Sequence, residues 1–177
     1  MRARTFAREI AFQVLYQGDL NPEGDETLRT VTDKFQDKAR QTLEIMEFVR
    51  HLVRLLDREE PEAAEEETLY NQWLRTPDLV EFTRILVAGV QAECSEIDDR
   101  LAAAAAHWSL HRMAATDRNL LRLGAYELLF TETPPRVVID EAVELAKRFG
   151  GAQSAQFVNG ILDNLMHQIK PATADAR

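Results

Sequence analysis

PPRVVIDEAVELAKRFGGAQSAQFVNGILD, residues 134–163, decides the fold. Pro134 and Pro135 stop whatever precedes them, because proline lacks a donor and biases its predecessor away from helical dihedrals. From Ile139 onward the apolar residues Ile139, Ala142, Val143 and Ala146 fall on one helical face. Gly150 and Gly151 are expected to end that helix, with a glycine in the left-handed C′ conformation. Ser154 is the expected N-cap of a second helix. Phe157, Val158, Ile161, Leu162 and Leu165 share a face of that helix. The stretch is a helix, a glycine corner and a helix, with no catalytic motif.

The same period extends through the chain. Residues 5–17 carry Phe6, Ile10 and Val14 beside Ala7, Ala11 and Leu15, which predicts a first helix with one buried face. Helical spacing recurs over residues 26–56. Asp78, after Pro77, is expected to open a long helix to about Ala106, striped by Leu79, Phe82, Leu86, Val90, Ile97 and Leu101. Thr116 or Asp117 is expected to cap the next helix, which carries Leu120, Leu121, Leu123, Leu128 and Leu129. No segment alternates with a strand period, and Val137-Val138-Ile139 runs straight into a helical pattern. The predicted fold class is all-α: about six or seven helices packed as two small bundles in a single domain. The N-terminal lobe is expected to end near residue 106, and the C-terminal lobe to run over about 107–170.

The chain has 177 residues, enough to bury a real core. Its single cysteine, Cys94, excludes an intrachain disulfide and a cysteine metal cluster. It has no apolar run of about 18 residues and no signal-peptide core, so a cytoplasmic location and no membrane contact are expected. The formal net charge is −9, concentrated in DREEPEAAEEE at 57–67, which reads as a solvated acidic linker. Residues 1–56 balance to zero, so the bulk charge does not exclude an RNA ligand.

Candidate chemistry is sparse. His107 and His111 are four apart, but neither the glutamate of a zinc motif nor a third ligand accompanies them. Asp140, Glu141 and Glu144 lie in the first turns of a helix, where negative charge complements the dipole. Cys94 has no basic neighbour to activate it. Gly150-Gly151 matches no phosphate loop. The chain is therefore not expected to be an enzyme or to carry a cofactor or metal. What remains is the N-terminal helix. Arg4 and Arg8 are one turn apart, near Arg2, with Gln13 and Tyr16 further along. Arginine binds phosphate, glutamine can meet base edges and tyrosine can stack on an unpaired base.

Three segments together resemble the NusB family of bacterial transcription antitermination factors: AREIAFQVLYQGDL (7–20), TDRNLLRLGAYELLF (116–130) with Trp108 upstream, and IDEAVELAKRFGGAQSAQFVNGILD (139–163). In residues 21–77, approximately, no motif of that resemblance is expected. The resemblance implies an all-helical, non-catalytic adaptor that pairs with NusE, a small-subunit ribosomal protein. The pair would bind the single-stranded boxA element of nascent RNA and join elongating RNA polymerase, notably on ribosomal RNA operons. By the same resemblance Arg2, Arg4, Arg8, Gln13, Tyr16, Gln153, Gln156 and Phe157 face RNA, the N-terminal arginines and the glycine corner forming one surface. Asp117, Arg118, Arg122 and Glu127 face the protein partner; Tyr126, in the same motif, is a partner contact or a core residue, with core at least as much expected, and Asn159 is expected to have a structural role near the corner. Thr5, Phe6 and Gln156 stand where relatives often have basic residues. Weak RNA binding without the partner is the consequence. The alternatives are a protein-interaction scaffold, a homodimer, or a stand-alone relative of the NusB-like domain of RNA cytosine methyltransferases.

Overall fold

The computed structural model describes residues 3–20, 75–105 and 108–169. Among them every regular element is helical, as the apolar spacing predicts. The helices are α1 (Ala3–Leu20), α2 (Pro77–Ala92), α3 (Cys94–Ala104), α4 (Ala115–Phe130), α5 (Pro135–Phe149) and α6 (Ser154–Ile169), with a short 3-10 turn at Leu110–Arg112. None is long and apolar enough to cross a membrane. The acidic run 57–67, the helical pattern of 26–56, Arg2 and His107 lie outside the described residues.

The chain divides into two compact units, Met1–Ala88 and Gly89–Arg177. The division falls inside α2, not near residue 106. The reason is that α3 packs on α4 and α6 and so belongs to the second unit.

In the first unit, Phe6, Ala7, Ile10, Ala11, Val14 and Leu15 are all buried. Helix α1 runs past Gly18 to Leu20, since a single glycine only weakens a helix. On α2, Leu79 and Leu86 are buried, and the buried hydroxyl of Thr83 lies 3.4 Å from the Ala7 carbonyl on α1.

The single long helix expected from 78 to 106 is two helices. Glu93 separates them with φ −100° and ψ 14°, in the bridge region between helical and extended backbone. The Glu93 amide still donates to the Gly89 carbonyl, and the Ile97 amide to the Glu93 carbonyl. The break therefore leaves the apolar stripe in phase, and Val90, Ile97 and Leu101 stay buried.

The second unit is a bundle of α3, α4, α5 and α6. Its core holds Ile97 and Leu101 from α3, Leu120 and Leu121 from α4, Val138 and Leu145 from α5, and Leu162 and Leu165 from α6. Helices α4 and α6 meet at Gly124, where an added Cβ would stand 2.6 Å from Leu162 Cδ1. Helix α4 starts at Ala115 behind Ala114, with no side-chain cap, so neither Thr116 nor Asp117 has the capping role the sequence suggested. Helix α5 begins at Pro135, where a missing N–H costs nothing.

The corner differs from expectation in an instructive way. Gly150 has φ −91° and ψ 178°, extended backbone that any residue can adopt. Glycine is required there by crowding instead: a Cβ would lie 2.4 Å from Ser154 Cβ and 2.6 Å from the Ala146 carbonyl oxygen. Ser154 opens α6 as its first helical residue, and its hydroxyl accepts the Gly151 amide at 2.9 Å. The corner is held by that bond and by the Gly150 amide donating to Ala146 O at 2.9 Å.

Candidate nucleic-acid interface

Immediately beyond the corner, Gln153 and Gln156 are exposed and Phe157 is half-buried. The Phe157 amide donates to the Gln153 carbonyl, which places Gln153 one turn below the phenyl ring. Phe157 also touches Trp108, with ring centroids 5.5 Å apart and planes at 73°. Edge-to-face contact of this kind is a favoured aromatic geometry.

Trp108 is fixed from both sides. Before it, the Asn164 amide on α6 donates to the Ala104 carbonyl at 2.7 Å, tying down the end of α3. After it, Arg118 Nη1 donates to the carbonyls of Leu110 and Met113, at 3.1 and 3.0 Å. The ends of short helical turns leave carbonyls without helical partners, and the guanidinium supplies the missing donors. Leu110 and Met113 pack into the core. The Trp108 amide donates to Ala105 O at 2.7 Å. The indole is nevertheless 61% exposed. The sequence identified Trp108 only as a spacing landmark. The available signal was a tryptophan flanked by polar residues in a segment with no helical stripe.

The N-terminal arginines lie in the other unit and form a different arrangement. The guanidiniums of Arg4 and Arg8 lie 5.4 and 5.1 Å from the centroid of the Phe82 ring, within cation–π range. Arg8 is only 3% exposed and its Nη1 lies 3.5 Å from the Arg4 carbonyl. Arg8 is thus a packing residue of the first unit, which corrects its expected place at a phosphate. Arg4 is exposed. Gln13 is buried, 3.5 Å from the Glu9 carboxylate, and does not present an amide to a ligand. Tyr16 is half-buried, its ring 5.9 Å from Phe12. Phe82, predicted as plain core, lies against both arginines. Nothing in its helical spacing announces that.

The expected partner face on α4 is mostly engaged within the chain. Arg122 and Asp98 form a two-bond fork between α4 and α3, Nε to Oδ1 at 2.8 Å and Nη2 to Oδ2 at 2.7 Å. Glu127 is 1% exposed and so does not reach a partner surface, because burial takes its carboxylate out of contact with solvent. Arg118 holds the 3-10 turn. Asp117 is half-buried in the first turn of α4, where its charge complements the helix dipole. Tyr126 is buried, as expected of a core residue, and its ring fills the space left by the absent side chain of Gly89. Burial raises its phenol above the ordinary value, with smaller contributions from the carboxylates of Glu93 and Glu127. Asn159 is exposed. Among the described residues no group of three or more His, Cys, Asp or Glu side chains is placed to hold a metal ion.

Known proteins are similar to this chain in sequence and fold. A sequence model described as the NusB family matches residues 41–167, which corrects the expectation of no resemblance over the part of 21–77 from residue 41 onward. The transcription antitermination protein NusB of Streptomyces coelicolor is 36% identical over 173 residues, covering 97% of each chain. Among solved structures, NusB of T. maritima superposes with a TM-score of 0.62 at 28% identity, covering 95% of this chain and 93% of that one. A chain from a crystal structure of the antitermination factors NusB and NusE in complex with double-stranded RNA gives 0.60 at 26% identity, covering 95% and 98%.

Proposed function

The chain belongs to the NusB family, and on that premise we propose that it is a non-catalytic transcription antitermination factor that binds RNA together with NusE. The observation that carries this reading is the likeness to NusB proteins over nearly the whole chain, not one local motif. The RNA is a single-stranded boxA-type element, and the assembly acts on the RNA polymerase elongation complex.

The RNA-facing groups are Arg4 on α1 and Gln153, Gln156 and Phe157 beyond the corner. Arg2 joins them by its place in the sequence. The protein partner takes the start of α4, around Asp117. These groups include few cations and several neutral hydrogen-bonding side chains. Neutral amides meet base edges well but add little phosphate attraction. Binding RNA and NusE at once makes the second contact effectively intramolecular, so two weak contacts become one adequate one.

The test is a binding series with boxA-type RNA, a scrambled strand and a duplex of the boxA sequence, each with and without NusE. The expected result is a preference for the single-stranded boxA RNA that appears or sharpens with NusE. Equal binding to boxA and scrambled strands, or no association with NusE, refutes the reading. A preference for the duplex refutes its single-stranded part.

A further inference from the structure

Trp108 is the most exposed large apolar side chain among the described residues. Leaving an indole in water is unfavourable, yet this one is held out by firm anchors on either side. Asn164 fixes Ala104 before it and Arg118 fixes Leu110 and Met113 after it. Its ring contact with Phe157 leaves most of the indole surface open. The platform is built rather than incidental.

The charge around it narrows the class of ligand. The chain carries a net charge of −9, yet no Asp or Glu occurs between Arg100 and Asp117, nor between Glu144 and Asp163. These two segments supply Trp108 and Phe157. They also supply His111, Arg112 and Lys147, all exposed, with Arg148 half-buried; Lys147 pairs with Glu144 at the edge of its segment, 2.6 Å from Nζ to Oε1. Acid-free segments that carry basic groups, in an acidic protein, suit a polyanion. A flat, open ring suits the face of a base, and the exposed amides of Gln153 and Gln156 suit its edge.

We propose that Trp108 is a stacking platform for one unpaired nucleobase of the bound RNA strand, with Phe157 bracing the indole from the side. The assignment rests on the RNA-binding function proposed above and adds to it a residue outside the glycine corner and the N-terminal arm. Stacking is indifferent to which base is present, so Trp108 contributes affinity and register more than sequence choice.

The test uses the full chain with NusE and a single-stranded boxA-type RNA, plus a set of the same RNA carrying one abasic position at a time. Trp108→Ala is expected to weaken binding to the intact RNA by about 5- to 150-fold, the range for one stacked base. Trp108→Phe, which keeps a ring, is expected to recover most of that loss. One abasic position is expected to weaken the wild-type chain comparably and to leave Trp108→Ala unaffected. Unchanged circular dichroism keeps the comparison free of folding effects, and the abasic series on the wild-type chain needs no variant. If the wild-type chain binds RNA and Trp108→Ala binds equally well, the stacking assignment fails and the RNA-binding function stands. The assignment also fails if no abasic position cancels the effect of Trp108→Ala, or if Trp108→Ala weakens association with NusE in the absence of RNA. A wild-type chain that binds no RNA even with NusE overturns both.

Discussion

Gly150→Ala isolates what the corner between α5 and α6 depends on. The backbone there is extended, so alanine meets no dihedral penalty. The cost comes from contact. The new Cβ would stand 2.4 Å from Ser154 Cβ and 2.6 Å from Ala146 O, well inside ordinary van der Waals separation. Neither neighbour can withdraw freely. Moving the Ala146 carbonyl stretches its 2.9 Å bond from the Gly150 amide, and moving Ser154 stretches the 2.9 Å bond from the Gly151 amide to its hydroxyl. Overpacking costs about 1–3 kcal/mol, and one weakened hydrogen bond adds about 1 kcal/mol. At about 3 °C per kcal/mol for a chain of this length, the melting temperature falls by about 6–12 °C. Gly151→Ala is the matched control, because its Cβ would come no closer than 3.9 Å to Ser154 Oγ. That variant should lie within about 0.5 kcal/mol of wild type. Thermal unfolding followed by circular dichroism reads both. Gly150→Ala melting with the wild-type chain, or Gly151→Ala falling as far as Gly150→Ala, refutes the crowding argument.

Two further outcomes test the second unit. Arg122 and Asp98 are partly enclosed, with side chains 14% and 26% exposed. A double-mutant cycle of Arg122→Ala and Asp98→Ala should give a coupling of about 1–3 kcal/mol in urea unfolding. Zero coupling, with Arg122→Ala weakening only NusE association, would return Arg122 to the partner face. Tyr126 carries a raised phenol, chiefly through burial. A folded-state value above the unfolded value of about 10 means stability present below pH ~10 and lost as pH rises through the folded value. Tyr126→Phe should therefore lose less stability than wild type between pH 8 and 11, and equal losses in the two proteins contradict the assignment.

Periodicity made the fold legible because it reports which face of each helix is apolar. Phe6, Ile10 and Val14 on α1, or Ile161, Leu162 and Leu165 on α6, needed nothing more. It was silent wherever a polar group's fate depended on a distant residue. Arg122 reads as a surface charge until Asp98, 24 positions away, is known to face it. Arg118 reads as a partner contact until the carbonyls of Leu110 and Met113 are placed around its guanidinium. The break at Glu93 left no mark because no proline or glycine signals it and the apolar stripe continues across it. Gly150 was recognised as a corner for the wrong reason, since sequence shows a glycine but not whether a dihedral or a neighbour requires it. At the candidate interface, Gln153, Gln156 and Phe157 were singled out by the sequence, and the two amides are exposed. Trp108 was not, since its exposure follows from anchors on α4 and α6.

These placements fix how the proposed RNA contact must respond to salt. Arg8, Arg118 and Arg122 are engaged within the protein. Of the basic residues expected to reach RNA, Arg4 is the described one left exposed. With about two phosphates neutralised by Arg2 and Arg4, and up to about two more by the exposed Arg112 and Lys147, log K against log salt for a single strand has a slope of about −1.4 to −2.8, so affinity falls about 7- to 50-fold from 50 to 200 mM salt. Eight phosphate contacts would give a slope of about −5.6 and a fall of roughly 2000-fold. A shallow slope means that stacking and amide contacts hold the RNA, and these order bases only when the strand is correctly placed. That requirement is what a second protein bound to the same strand supplies, by raising the effective concentration of the RNA at this surface. Titrations with and without NusE across that salt range should therefore differ mainly in intercept, with the partner's own cations setting any added slope. A slope near −5 for the chain alone would mean that many more cations reach the RNA than these placements allow, and would refute the stacking-led account.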